Sequence, residues 1–131
     1  MATIRKTMTN MEIFNTATML MEAFQKEEET VFPVKVNFFL QKNMNTLVEM
    51  AKDIEKTRAE IIQKYGKPSE DDDTQYIVPN DQVEAASKEL EDLFNLEQEV
   101  VVNTLKIEWF DNISMNAKQV AAISYMIEEE E

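Results

Sequence analysis

The sequence predicts an α+β fold that is mostly helical, with four helices and a small antiparallel sheet of short strands. The first observation is that nothing after Pro33 interrupts a helix until residue 65, which allows one long helix. The second is that other segments carry apolar residues at three- and four-residue spacing, as buried helical faces do. The third is that only three short segments have strand character. We therefore expect the order β-α-α-β-α-β-α in a single domain over residues 1–131.

The N-terminal part of the chain predicts a short strand followed by a helix. Residues 3–8 include threonine and isoleucine, which favour extended backbone. Thr9 and Glu12 have the spacing of a capping box, in which Thr9 caps the helix and the Glu12 side chain reaches back. The helix is expected to continue to about Gln25, and the glutamates at 27–29 begin a linker. Its apolar face consists of Ile13, Phe14, Ala17, Leu20, Met21 and Phe24.

The longest predicted element is the helix over residues 33–65. Pro33 suits a first helical turn, where no amide hydrogen bond is lost. Gly66 is the only glycine in the chain, and it stands where a left-handed C-cap is wanted. Pro68 follows as a stop, so the helix is expected to end at Tyr65.

One face of this long helix repeats every seven residues, and we call it the heptad face. Such a face packs either against the core of its own domain or against a second helix as an oligomer seam, and we favour the core. Its single charged member, Arg58, needs a carboxylate partner if it is buried. The face consists of Leu40, Met44, Leu47, Ala51, Ile54, Arg58, Ile61 and Tyr65.

The second half of the chain predicts two further strands and two further helices. Residues 67–75 form an acidic loop, and residues 76–78 form a short strand. Asn80 or Asp81 can cap a third helix that continues to about Asn95. Alternating apolar residues predict a strand from Glu99 to Trp109. Ser114 can cap a last helix with Val120, Ile123 and Ile127 as its apolar face, and we expect residues 128–131 to fray as a charged tail.

The composition argues against an enzyme and against a cofactor. The chain has no histidine and no cysteine, so the commonest bases, nucleophiles and thiolate ligands are missing. A glycine-rich phosphate loop cannot be built with one glycine. The acidic run at 70–73 does not match a calcium-binding loop, because no glycine falls at the sixth position counted from Asp71 or from Asp73. We therefore expect no catalytic residues, no cofactor and no metal site.

The net charge of −13 is the strongest clue to function, and it is concentrated in one region. Residues 67–100 contain eleven acidic and two basic side chains, whereas residues 33–66 contain four acidic and six basic ones. Such a surface argues against direct binding to nucleic acid or anionic lipid and favours a partner with a basic surface. A solvated face without a partner is the alternative. The candidate partner-binding residues are Glu70, Asp71, Asp72, Asp73, Asp81 and Glu84.

Several segments together resemble small uncharacterised proteins of tailed bacteriophages and prophages. The resemblance covers roughly residues 33–128. It implies a phage origin and transfers no catalytic residues. The segments are the Glu60–Gly66 end of the long helix, the acidic loop, Lys88–Leu93, the strand from Val100 to Ile107 and the helix from Ala121 to Glu128.

These observations favour a non-enzymatic, phage-type protein that acts through protein–protein binding. The sharper form of this expectation is an inhibitor of a host nucleic-acid-binding or defence factor, working in the host cytoplasm. A virion or assembly protein that forms homo-oligomers through the long helix is the alternative. A second alternative is a sponge for a small signalling molecule, with Lys35, Lys42, Lys52 and Arg58 around an oligomer pocket. Neither a membrane-spanning segment nor a secretory signal is evident.

Overall fold

The computed structural model of the chain describes residues 3–24, 32–71 and 75–128. The fold is mostly helical α+β, with one 32-residue helix at its centre. The predicted linker at 27–29, positions 72–74 of the acidic loop and residues 129–131 of the tail lie outside the described residues. The elements are β1 (Thr3–Thr9), α1 (Asn10–Phe24), α2 (Val34–Tyr65), β2 (Lys67–Pro68), β3 (Tyr76–Ile77), α3 (Val83–Asn95), β4 (Glu97–Asn103) and α4 (Ala117–Ile123), with 3-10 turns at Asn80–Gln82, Ile107–Phe110 and Ser124–Met126.

The strands form two separate antiparallel pairs among the described residues. β1 pairs with β4 over seven residues without a bulge, from Thr3 opposite Asn103 to Thr9 opposite Glu97. β2 pairs with β3 and closes the base of the acidic loop. The segment at residues 76–78 was expected to share a sheet with the other strands. It pairs instead with β2, the strand that precedes it in the sequence, across the acidic loop.

The start of α1 confirms the predicted capping box. The Thr9 amide donates to Oε1 of Glu12 at 3.0 Å, and the Glu12 amide donates to Oγ1 of Thr9 at 3.1 Å. These two bonds satisfy backbone donors that the first turn of a helix leaves unpaired. The hydrogen bond from the Thr9 backbone amide is the larger cause that lowers the pKa of the Glu12 carboxyl, and the Thr9 side chain adds to it. The apolar face of α1 then enters the core, with Ile13 and Leu20 fully buried.

The heptad face of α2 packs inside the protein. Leu40, Leu47 and Ile54 are at most 3% exposed and belong to one core cluster with residues of the other helices and of β4. Arg58 lies at the edge of this core and makes an ion pair with Glu55 at 3.0 Å. The core interpretation of the heptad therefore agrees with the structure. The same buried side chains are not accessible to serve as an oligomer seam.

Gly66 ends α2, but not in the predicted left-handed conformation. Its φ of −101° and ψ of 172° are extended values that any residue adopts, and its amide donates to the Ile62 carbonyl at 2.8 Å. The need for glycine comes from crowding instead. A Cβ at this position would stand 2.7 Å from the Ile62 oxygen and 3.2 Å from the Ile77 oxygen. The lack of a side chain therefore lets β3 lie close against the end of α2.

Three boundaries in the second half of the chain differ from the prediction. α3 begins at Val83 after the 3-10 turn at Asn80–Gln82, so neither Asn80 nor Asp81 is its cap. The strand predicted at Glu99–Trp109 is β4, which spans Glu97–Asn103 and pairs with β1 as far as Thr3 opposite Asn103. Residues 107–110 form a 3-10 turn. The last helix is capped by Asn116 rather than Ser114, and Asn116 exchanges two hydrogen bonds with Gln119. Of its predicted apolar face, Ile123 is buried, while Val120 is 52% exposed.

Candidate functional site

The predicted partner-binding acids do not form one cluster in the described structure. Glu70 and Asp71 lie exposed in the loop between β2 and β3, whereas Asp81 and Glu84 lie exposed at the start of α3. Within the described parts of the chain, none of these four makes an ion pair. Asp72 and Asp73 lie outside the described residues. Glu84 also stabilises α3 directly, because a negative charge in the first turn favours the helix dipole.

A groove between α2 and α3 combines apolar surface with carboxylates, and we call it the acidic groove. Its volume is about 490 Å³. The C-terminal half of α2 forms one wall, and the C-terminal half of α3 with the residue after it forms the other. Ile61, Leu93 and Leu96 provide the apolar part of the surface. The remaining lining residues are Thr57, Glu60, Lys64, Glu89 and Asp92.

Leu96 is the most exposed apolar residue of this groove, and buried hydrogen bonds fix its position. Leu96 is 57% exposed, whereas Leu93 beside it is 9% exposed and belongs to the core. The backbone amide of Asn10 donates to the Leu96 carbonyl, and Nδ2 of the Asn10 side chain donates to the Leu93 carbonyl, both at 2.8 Å. Gln98 in turn donates to Oδ1 of Asn10 at 2.6 Å. The wall formed by the end of α3 is therefore anchored to the start of α1.

One end of the groove is neutralised by an ion pair between its two walls. Nζ of Lys64 lies 2.9 Å from Oε1 of Glu89. The hydrogen bond from Lys64 lowers the pKa of the Glu89 carboxyl, and the same bond raises the pKa of the Lys64 ammonium. Both groups are exposed to water, so this pair contributes little stability and mainly sets the local charge.

The other two carboxylates of the groove belong to Glu60 and Asp92. Among the described residues, neither Glu60 nor Asp92 makes an ion pair. Glu60 directly precedes Ile61 on α2, and Asp92 directly precedes Leu93 on α3. An occupant of the groove would therefore meet apolar side chains and two unpaired carboxylates. That environment suits a segment with both apolar and basic side chains.

A second concavity of about 490 Å³ lies between the 3-10 turn at 107–110 and α4. Phe110 and Ile123 are buried in its wall, and Ile107 and Val120 are each more than half exposed at its edge. Its described lining contains no ionisable side chain, so this concavity offers a partner apolar contact without charge. Its other lining residues are Ile113, Met115, Ser124 and Ile127.

No metal or membrane feature is evident in the described ranges. Nowhere in residues 3–24, 32–71 and 75–128 do three or more acidic, histidine or cysteine side chains come close enough together to hold a metal ion. No helix in the same ranges has both the length and the apolar character needed to cross a membrane.

Comparisons of the chain with protein-family models, with curated proteins and with solved structures gave no significant match. The chemistry of the surface itself is therefore the guide to function.

Sequence reasoning missed the acidic groove although it named several of its parts. Ile61 was assigned to the heptad face and is partly buried, and Leu93, at the end of the predicted third helix, is buried in the core. Glu60 and Asp92 were counted only as charges. The available signal was Leu96, an apolar residue directly after the end of a predicted amphipathic helix. Its significance depends on which helix lies opposite, and that is not encoded in local spacing.

Proposed function

We propose that this protein acts, without catalysis, by binding a partner protein, and that a basic amphipathic helix of the partner lies in the acidic groove. The observation that carries the proposal is the combination of Ile61, Leu93 and Leu96 with two unpaired carboxylates in one groove. Helices commonly bind grooves through one apolar face, with charged residues at its margins deciding which partner fits.

A host nucleic-acid-binding or defence factor is the partner class that we favour. Proteins that bind nucleic acid present lysine and arginine to phosphates. A groove with Glu60 and Asp92 offers negative charge to the same side chains and can compete with the nucleic acid. In the phage-type form of this proposal, that factor belongs to the bacterial host. We do not favour the alternative in which an assembly protein forms oligomers through the heptad face, because Leu40, Leu47 and Ile54 are buried.

The proposal can be tested with a synthetic amphipathic helix of leucine and lysine as the probe. We expect the peptide to bind and its dissociation constant to rise with salt. A leucine–glutamate peptide and a scrambled leucine–lysine peptide should bind much more weakly, since one lacks the charge and the other lacks the apolar face. Fluorescence anisotropy gives the dissociation constants.

Variants of the protein locate the binding surface. The double variant Glu60→Gln/Asp92→Asn should weaken binding about five-fold, the effect of two partly exposed ion pairs. Leu96→Ser should weaken it about ten-fold through lost apolar contact. The control Glu91→Gln/Glu108→Gln makes the same change in net charge at exposed positions outside the groove and should have little effect. Equal losses in both double variants would mean that only net charge attracts the peptide, and the proposal would be wrong.

A third double variant, Asp81→Asn/Glu84→Gln, tests the surface that the sequence suggested. If this variant loses binding while the groove variant does not, the start of α3 is the binding surface and the groove is not.

A further inference from the structure

We propose that the basic helix that fits the acidic groove is present in the chain itself, in the first turns of α2, and that copies associate head to tail through it. This inference rests on the proposed function of the groove. It adds a second copy of the chain as one occupant, with which any external partner competes.

The first turns of α2 present an apolar and basic stripe, which we call the α2 ridge. It consists of Val34, Lys35, Phe38 and Lys42. At 100° per residue these four positions fall within an arc of about 100° on one side of the helix. Val34 is 87% exposed and Phe38 is 60% exposed. These two side chains lie four residues apart, so they form an exposed apolar pair on the same side of the helix.

The α2 ridge lies in the part of the chain that is free of acidic residues. From Phe32 to Val48 the sequence contains two lysines and no aspartate or glutamate, in a chain with a net charge of −13. Nζ of Lys35 stands 4.1 Å above the Trp109 ring, and Nζ of Lys42 lies 5.9 Å from the Phe38 ring. Among the described residues, neither lysine makes an ion pair. Both lysines are exposed, and in the described structure their charges face aromatic rings rather than carboxylates.

The α2 ridge and the acidic groove complement each other in character. The ridge offers two large apolar side chains and two lysines. The groove offers the apolar surface of Leu93 and Leu96 and the unpaired carboxylates of Glu60 and Asp92. Seating the ridge in the groove covers apolar surface on both sides and brings each lysine toward a carboxylate.

The contact has to be made between two copies. Phe38 and Ile61 stand on the same continuous helix, and 23 residues at 1.5 Å per residue separate them by roughly 35 Å. A rigid helix cannot fold its beginning onto its own end. Because the two surfaces differ, each copy can give a ridge to one neighbour and a groove to another, and such heterologous contacts extend into rings or chains.

The test uses two variants, each with one half of the contact removed. Phe38→Asp disables the ridge and leaves the groove, and Leu96→Asp disables the groove and leaves the ridge. Sedimentation velocity of the wild-type protein should give an average mass that rises with concentration beyond a dimer. Each variant alone should remain monomeric. An equal mixture of the two should form a dimer that grows no further, because only one intact contact is left in it.

Val120→Asp serves as the control, since it changes an exposed apolar residue outside both surfaces, and it should associate as the wild type does. Circular dichroism checks that each variant is folded. A wild type that stays monomeric at every concentration overturns the inference, as does association that persists in both single variants or a mixture that forms no dimer. If the wild type is monomeric and still binds the leucine–lysine peptide, the self-association is wrong while the proposed function stands. If neither occurs, both are wrong.

Discussion

At the scale of single residues, two buried asparagines join elements that are distant in sequence. Asn43 on α2 is 2% exposed, and its amide group donates to the Asn103 carbonyl at 2.8 Å and accepts from the Asn103 amide at 2.9 Å. Asn10 joins the start of α1 to the end of α3 in a similar way. The Asn43 bonds satisfy the backbone groups of Asn103 at the end of β4, and the Asn10 bonds satisfy the carbonyls of Leu93 and Leu96 at the end of α3.

We predict that Asn43→Ala lowers the free energy of unfolding by about 3 kcal/mol, because it leaves the amide and carbonyl of Asn103 without their partner. Urea denaturation measures this. Asn45→Ala is the matched control, since Asn45 is an exposed asparagine on the same helix. Its effect should stay within about 0.5 kcal/mol. Equal effects of the two changes would mean that the buried hydrogen bonds of Asn43 contribute no stability.

At the scale of elements, the ends of the helices are decided by reciprocal side-chain bonds or by crowding. The capping box at Thr9 and Glu12 follows from local spacing and was predicted. The cap of α4 was not, because Ser114 and Asn116 are both acceptable capping residues. Gln119 decides between them, since it stands three residues after Asn116 and can complete the box.

We predict that Asn116→Ala lowers the free energy of unfolding by about 1 kcal/mol, the usual cost of losing an N-cap. Ser114→Ala should change it by less than about 0.5 kcal/mol, because Ser114 is exposed and precedes the cap. Thermal or urea denaturation of both variants checks the difference. A larger loss with Ser114→Ala would mean that α4 begins earlier than the structure indicates.

At the scale of the whole molecule, excess negative charge is the dominant electrostatic feature. The net charge is −13, and the four ion pairs seen among the described residues all join partly or largely exposed side chains. Such pairs contribute little each, so repulsion between carboxylates outweighs them. Screening by salt therefore removes more repulsion than attraction.

We predict that raising the salt concentration from low to physiological stabilises the folded protein by about 1 kcal/mol, a rise in Tm of roughly 4 °C for a domain of this size. Differential scanning calorimetry of the Phe38→Asp variant measures the effect without a contribution from the α2 ridge. A Tm that falls with salt would show that the ion pairs outweigh the repulsion.

The local chemistry of the sequence determined the fold class, the long helix and the first capping box. Periodicity and capping depend on residues three to seven positions apart, so they can be read without the fold. The same reasoning assigned Leu40, Leu47 and Ile54 to a buried face. It erred at Gly66, where an extended backbone is packed against β3, and at the end of β4, whose pairing with β1 reaches only Asn103.

What only the tertiary structure decided is which surfaces lie together. The acids at 70–73 dominate the sequence, yet the carboxylates that share a groove with apolar residues are Glu60 and Asp92, on helices that are far apart in the chain. Likewise, the α2 ridge is exposed because of how α2 crosses the other elements, although the segment from Val34 to Leu40 around it is rich in apolar residues. Charge and helical spacing are properties of the chain, whereas a groove exists only once two helices pack side by side.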